Sequence, residues 1–232
     1  MNKKIEAVIF DMDGTALKQI KGEESLHCEP DAWIDVWRHF FYAAGFAEEC
    51  RSLNLKYHDL VTNSMTPEGH REFFQKSCEL LKGKSATTLL IAFRELPYTS
   101  GFLEFCRYLQ GKEIKTGMVT LSLDVIAQQI KQEAGLEYAV GNEIYTDKQG
   151  LFTGTGKINV PFSGKGKAVE TVYAALGAWR ETTAFFGDSG NDVDCWKAVG
   201  LPLGINVNAV YRHLVKESFA DFYQAKEYFE KS

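Results

Sequence analysis

The chain has 232 residues, 45% of them hydrophobic and 25% charged, and a formal net charge of −5. That length can bury a sizeable apolar interior, and the mildly acidic balance argues against nucleic-acid binding, which calls for clustered basic charge. No apolar run approaches the roughly 20 residues needed to cross a bilayer, so a membrane role is not expected either.

The five cysteines, Cys28, Cys50, Cys78, Cys106 and Cys195, are odd in number, scattered and without a Cys-x-x-Cys pair. They read as reduced thiols packed as small apolar groups. Residues 1–6 lead into a short apolar stretch and not into a secretory signal, so a cytoplasmic protein is expected.

In chain order, residues 7–10 form a short apolar run that reads as a buried strand, and it stops at Asp11-Met12-Asp13-Gly14-Thr15. A carboxylate ending a parallel strand stands where ligands of open α/β sheets bind, and Gly14 lets the chain turn away from it. Two unit charges about 4 Å apart repel by about 4 kcal/mol at an effective dielectric of roughly 20. A hard divalent cation with oxygen ligands would relieve that repulsion. A calcium loop would continue with further oxygen ligands at short intervals, whereas Thr15, Ala16 and Leu17 follow here.

Residues 16–96 differ in character. A polar stretch, 18–29, precedes Pro30 and an aromatic stripe of Trp33, Trp37, Phe40 and Phe41 at helical spacing, expected to form the segment's own core. A second helix is expected within 47–61. Thr66 caps a third, with Pro67 in its first turn and Phe73, Phe74, Cys78 and Leu81 following, and Ser85 begins a fourth. No strand is evident, so the block is expected to be a helical insertion.

From Pro97 onward the pattern alternates. Ser100 is expected to cap a helix, residues 115–120 to form a strand ending at Thr120, and Ser122 to open the next helix, closed by Gly135. Residues 138–140 read as a short strand, and 143–146 with 151–153 as a hairpin. Residues 154–157, Gly-Thr-Gly-Lys, read as a polar loop after it; Ile158 follows the lysine and the first glycine is out of register for a phosphate-binding P-loop. Lys165-Gly166-Lys167 opens another helix. The strand 183–187 again ends in acid, at Asp188-Ser189-Gly190-Asn191-Asp192, followed by a short helix. Residues 201–205 are expected as the last well-defined strand and 222–229 as a terminal helix.

Strands alternating with helices point to an α/β fold with a doubly wound, Rossmann-like parallel sheet and right-handed crossovers. In such a sheet the acids after two different strands, Asp11, Asp13, Asp188 and Asp192, converge on one crevice. The core is expected in residues 1–15 and 97–232, with 16–96 inserted.

These pieces resemble the haloacid dehalogenase superfamily of phosphatases, in its phosphoserine-phosphatase-like branch. Asp11-Met12-Asp13-Gly14-Thr15 matches the first motif, Asp-x-Asp-x-Thr, and Thr120 the second. Lys165, with Lys167 as the alternative, matches the third, and residues 187–192 the fourth, Gly-Asp-x-x-x-Asp. The resemblance covers residues 5–15 and 97–215. It implies a Mg2+-dependent phosphomonoester hydrolase, in which Asp11 attacks phosphorus and becomes an aspartyl phosphate while Asp13 serves as acid and then base. Magnesium would be held by the carboxylates of Asp11 and Asp188 and the main-chain carbonyl of Asp13, and the phosphoryl oxygens by Thr120, Lys165 and Asn191. Asp192 would orient Lys165 or a metal-bound water.

An insertion directly after the first motif is the place of a type 1 cap in this superfamily. Phosphoserine phosphatases use a cap glutamate and a cap arginine for the amino acid; Glu23, Glu24 or Glu29 is the expected counterpart of the first. Gln75 occupies the register of the arginine, with Arg71 one turn away, so Glu29 and Arg71 are the substrate-binding candidates. The expected partner is a small phosphorylated metabolite, phosphoserine-like or otherwise, handled by a monomer or a homodimer. A phosphotransferase or phosphomutase on the same scaffold, and a non-catalytic phosphate-binding regulatory protein, are the alternatives. Cys195, beside the acidic loop without a basic sequence neighbour, is expected to pack and not to react.

Overall fold

The computed structural model describes residues 4–18 and 64–231, together with residues 20, 21, 33, 34, 41, 44–46, 48, 49, 52, 56, 58 and 59. A seven-stranded sheet forms its centre. Its strands are β1 (Ala7–Phe10), β6 (Lys115–Leu123), β7 (Tyr138–Thr146), β8 (Phe152–Lys157), β9 (Thr183–Gly187), β10 (Leu201–Ile205) and β11 (Glu217–Phe219). Their order is β11-β10-β9-β1-β6-β7-β8, and every neighbouring pair is parallel except β7 with β8. Helices α1 (Pro67–Leu81), α2 (Ala86–Phe93), α3 (Phe102–Gly111), α4 (Asp124–Ala134), α5 (Lys165–Ala175), α6 (Val193–Ala198) and α7 (Phe222–Glu230) accompany it.

The two central strands are apolar on both faces, as a parallel sheet covered by helices requires: every residue of β1 and of β9 is buried. Under one face lies an aromatic cluster. Phe10, Phe102, Phe105, Phe186 and Phe222 meet at centroid distances of 5.2 to 6.2 Å, tying β1 and β9 to α3 and α7. Burying each such ring contributes about 1.5–3 kcal/mol, and the cluster so holds in place the strands that end in the acidic loops.

The structure redraws several expected elements. Residues 138–140 and 143–146 form one strand, β7, whose first half pairs with β6 and whose second half pairs with β8. Residues 154–157 are not a loop but the end of β8. A further strand, β11, follows β10; it is a three-residue edge strand with no apolar run to announce it. Ser122 does not begin a helix: β6 runs on through an irregularity to Leu123, and α4 starts at Asp124. Ser100 does not cap α3 either, since the preceding residue is Gly101, with φ 80° and no side-chain cap.

The inserted block is not wholly helical. Among its described residues are β2 (Ile20–Lys21) paired antiparallel with β3 (Trp33–Ile34), and β4 (His58–Asp59) paired with β5 (Ser64–Met65). Trp33 therefore lies in a strand, where aromatic and β-branched residues fit a pleated surface. Phe41 is fully buried, and Trp37 and Phe40 lie outside the described residues. The expected Thr66 cap is present, its hydroxyl accepting from Gly69 N at 3.0 Å, with Pro67 opening α1.

Where the chain leaves the core and returns, its two ends are stitched together. Lys18 N donates to Pro97 O at 2.9 Å, Thr99 N donates to Ala16 O at 2.9 Å, and Leu17 bridges Tyr98 antiparallel. These ties support the division we propose, a core of residues 1–15 and 97–232 with residues 16–96 inserted as a cap. The cap in turn rests on the hairpin: Gly83 N donates to Phe152 O at 2.8 Å and Phe152 N to Lys84 O at 2.9 Å.

Candidate active site

Register places the site. Phe10 is level with Met118 on one side and Phe186 on the other, so β1, β6 and β9 deliver Asp11, Thr120 and Asp188 to one rim. Asp11 N continues the ladder by donating to Phe186 O at 2.9 Å. Beyond it the chain winds tightly: Ala16 N reaches Asp11 O at 3.4 Å, Leu17 N reaches Met12 O at 2.9 Å, and Gly14 N reaches Leu17 O at 3.0 Å. Gly14 has φ 81°, and a Cβ there would lie 2.5 Å from Asp188 Oδ2, so only glycine lets the two acidic loops approach so closely.

At the centre is Lys165, the first residue of α5 and 1% exposed. Its Nζ donates to Asp11 Oδ1 and to Asp192 Oδ1, each at 2.6 Å. Lys167, the alternative lysine, is exposed and pairs with Glu170 at 2.7 Å. Asp192 is held on its other side, where Oδ2 accepts from Asp188 N at 2.9 Å and Ser189 N at 3.3 Å. Burial alone would lower the Lys165 pKa, but Asp11 and Asp192 outweigh it and hold the ammonium well above its ordinary value.

For the acids, burial prevails over the neighbouring ammonium. Burial pushes Asp11 up to about 7, partly opposed by the Lys165 charge and reinforced by Asp192. Burial, then Asp192 and Asp11, also lift Asp188 well above the usual carboxylate range. Asp11, Asp188 and Asp192 each offer an oxygen, all within 4.8 Å of one another. Three carboxylates against one ammonium leave two negative charges when all are ionised. A divalent cation matches that excess and fits this oxygen donor set.

Thr120 is 1% exposed, and its Oγ1 accepts from Ser122 N at 3.0 Å, which leaves its proton to donate elsewhere. Asn191 Oδ1 and Thr15 Oγ1 are buried without a partner beside these loops. Asp13 is half-buried, its backbone bridged to Leu17. A haloacid dehalogenase-like hydrolase family model matches residues 8–197. The chain belongs to that family. Phosphatases of the family generally use a divalent metal, in keeping with the buried acidic triad.

This haloacid dehalogenase-like hydrolase is similar to phosphoserine phosphatases. It is 25% identical over 223 residues to one from Archaeoglobus fulgidus, covering 94% of this chain but 58% of that relative's length. It is 25% identical over 207 residues to one from Methanocaldococcus jannaschii, covering 88% of this chain and 86% of the relative. Among solved structures, a phospho-aspartyl intermediate analogue of phosphoserine phosphatase superposes with a TM-score of 0.75 at 21% identity, over 97% of this chain and 99% of the other. At that identity the likeness establishes the fold.

The cap candidates fare differently. Glu23, Glu24 and Glu29 lie outside the described residues. Arg71 and Gln75 are exposed on α1, off its buried stripe. The buried stripe of that helix carries His70, Phe73, Phe74, Ser77, Cys78 and Leu81 instead. His70 was not singled out in the sequence; the available signal was a histidine and a serine seven residues apart within an otherwise apolar stripe. Cys195 is fully buried, and burial raises its thiol well above the ordinary value despite the nearby Lys165, as befits a packing residue.

No helix among the described residues is long and apolar enough to cross a membrane.

Proposed function

We propose that this haloacid dehalogenase-like hydrolase is a Mg2+-dependent phosphomonoesterase of the cytoplasm acting on a small phosphorylated metabolite. The observation that carries the reading is Lys165 bound to both Asp11 and Asp192 inside a buried triad of acids. Asp11 is the nucleophile: it sits at the strand end with one oxygen fixed by Lys165 and its backbone fixed by Phe186, so its other oxygen has a defined aim.

In line attack by Asp11 on phosphorus forms the aspartyl phosphate as the ester oxygen leaves, and Asp13 gives that oxygen its proton. Asp13 then takes a proton from the water that attacks phosphorus, which releases phosphate and restores Asp11. Lys165, the Thr120 hydroxyl and the Asn191 amide steady the phosphoryl oxygens. Asp192 keeps Lys165 in place. The carboxylates of Asp11 and Asp188 with the Asp13 carbonyl would hold magnesium, which when bound neutralises phosphoryl charge.

Turnover of 4-nitrophenyl phosphate tests the reading. Activity lost in excess chelator, restored by magnesium and abolished in Asp11→Asn is expected. Absence of turnover across phosphorylated amino acids, sugars, nucleotides and amino alcohols would overturn it.

A further inference from the structure

The groups that α1 offers to the core are neutral. Its charged residues Glu68, Arg71, Glu72, Lys76 and Glu79 are all exposed, while the buried stripe carries two polar side chains, His70 and Ser77. Seven residues apart, they lie within about 20° of one another around the helix. Ser77 is wholly buried, and its hydroxyl has no hydrogen-bond partner.

His70 stands where cap meets core. It is 7% exposed, its ring lies 6.3 Å from that of Phe162 just ahead of Lys165, and its Nε2 lies 3.4 Å from Leu121 O. That carbonyl already accepts from Asn142 Nδ2 at 2.7 Å, so the histidine contact is the longer and weaker of the two. Leu121 sits between Thr120, which faces the phosphoryl site, and Ser122, whose buried hydroxyl has no partner and caps no helix. A nearly buried imidazole on a slack hydrogen bond to Leu121 O, the residue between the second motif and a serine whose buried hydroxyl is unsatisfied, has hydrogen-bonding capacity to spare. Burial holds its pKa below the ordinary value, opposed in part by the hydrogen bond to Leu121 and helped by the Lys165 charge.

We propose that His70 is the specificity-determining residue of the cap, hydrogen-bonding through its imidazole to a hydroxyl on the leaving half of the ester while Ser122 Oγ contacts the same group from the core side. The substrate class that this pair fits is accordingly a phosphate ester whose leaving half carries a further hydroxyl, as in a polyhydroxy compound, because an imidazole and a serine hydroxyl can each donate to or accept from a hydroxyl. This inference rests on the phosphomonoesterase reading and deepens it.

The test compares glycerol phosphate, 4-nitrophenyl phosphate and phosphoserine with the wild-type chain, His70→Phe and His70→Asn. The wild type is expected to favour glycerol phosphate over phosphoserine. His70→Phe is expected to lower the ratio of kcat/KM for glycerol phosphate to that for 4-nitrophenyl phosphate by about tenfold, with His70→Asn recovering part of it, because a site built to bond a hydroxyl discriminates by that bond. An unchanged ratio would show that His70 only holds the cap in place and would overturn the inference, as would a wild-type preference for phosphoserine. Should the wild type hydrolyse none of these esters, the phosphomonoesterase reading itself would fail; a ratio unmoved in an active enzyme refutes the His70 assignment alone.

Discussion

Lys165 Nζ lies 2.6 Å from Asp11 Oδ1, joining residues 154 positions apart in the chain through an ion pair that is almost wholly buried. The same nitrogen reaches Asp192, so one cation organises the first and last acidic loops together. Substituting Lys165→Met removes that cation and leaves Asp11 and Asp192 facing each other unpaired. Loss of about 3–5 kcal/mol of stability is expected, with loss of turnover, since breaking a buried pair strands its partners. Denaturant unfolding and kinetics on the folded fraction check both.

The close approach of Gly14 to Asp188 makes a second prediction. Gly14→Ala places a Cβ 2.5 Å from Asp188 Oδ2 and forces a non-glycine residue to φ 81°. The backbone penalty is about 1–2 kcal/mol, and displacement of Asp188 is expected to weaken magnesium binding beyond what that penalty explains. Isothermal titration with magnesium measures it; affinity equal to wild type would contradict the geometry.

The raised carboxylates predict how pH acts on the metal-free protein. Burial takes Asp11 from 3.8 to about 7 and lifts Asp188 as well. Below about pH 4 these groups hold protons in both folded and unfolded chains, and no penalty arises. As pH climbs from about 4 through about 7, the unfolded chain ionises freely and the fold does so only at a cost, so their contribution to stability is lost. Magnesium is expected to raise the thermal midpoint more near pH 7.5 than near pH 5, because about pH 5 it must first displace protons. Equal stabilisation at both values would count against this set of ligands.

Stability and chemistry separate at Phe222. The ring meets those of Phe10, Phe102, Phe105 and Phe186 at centroid distances of 5.2 to 5.7 Å, and none of these residues is one of the site's acids. Phe222→Ala is expected to cost about 3–5 kcal/mol, while kcat per folded molecule stays near wild type. A fall in kcat at full folding would mean that the aromatic cluster also sets the position of Asp11.

How much of this was legible in the sequence depends on the residue. β1 and β9 were readable because strands buried on both faces are continuously apolar and stop abruptly in acid. Lys165 was preferred over Lys167 only through the family resemblance, since both open the same helix and it is the rotation of α5 that turns one inward and the other to solvent. Ser122 misled because a serine before an apolar helix resembles a cap, yet the irregularity in β6 moves the helix start to Asp124. β11 carries too little apolar sequence to show itself. In the cap, Trp33 fits a helical stripe by spacing but pairs across strands, a case of tertiary pairing overriding periodicity. His70 offered only its place with Ser77 in an apolar stripe, because its meaning comes from Leu121, 51 residues away.

The central claim is that Asp11 takes the phosphoryl group, and acid-quenched peptide mass spectrometry during turnover of 4-nitrophenyl phosphate tests it most directly. The expected result is a hydroxylamine-sensitive phosphoryl adduct on the peptide bearing Asp11, absent from Asp11→Asn. Steady turnover with no adduct, or an adduct on any other residue, would contradict the account.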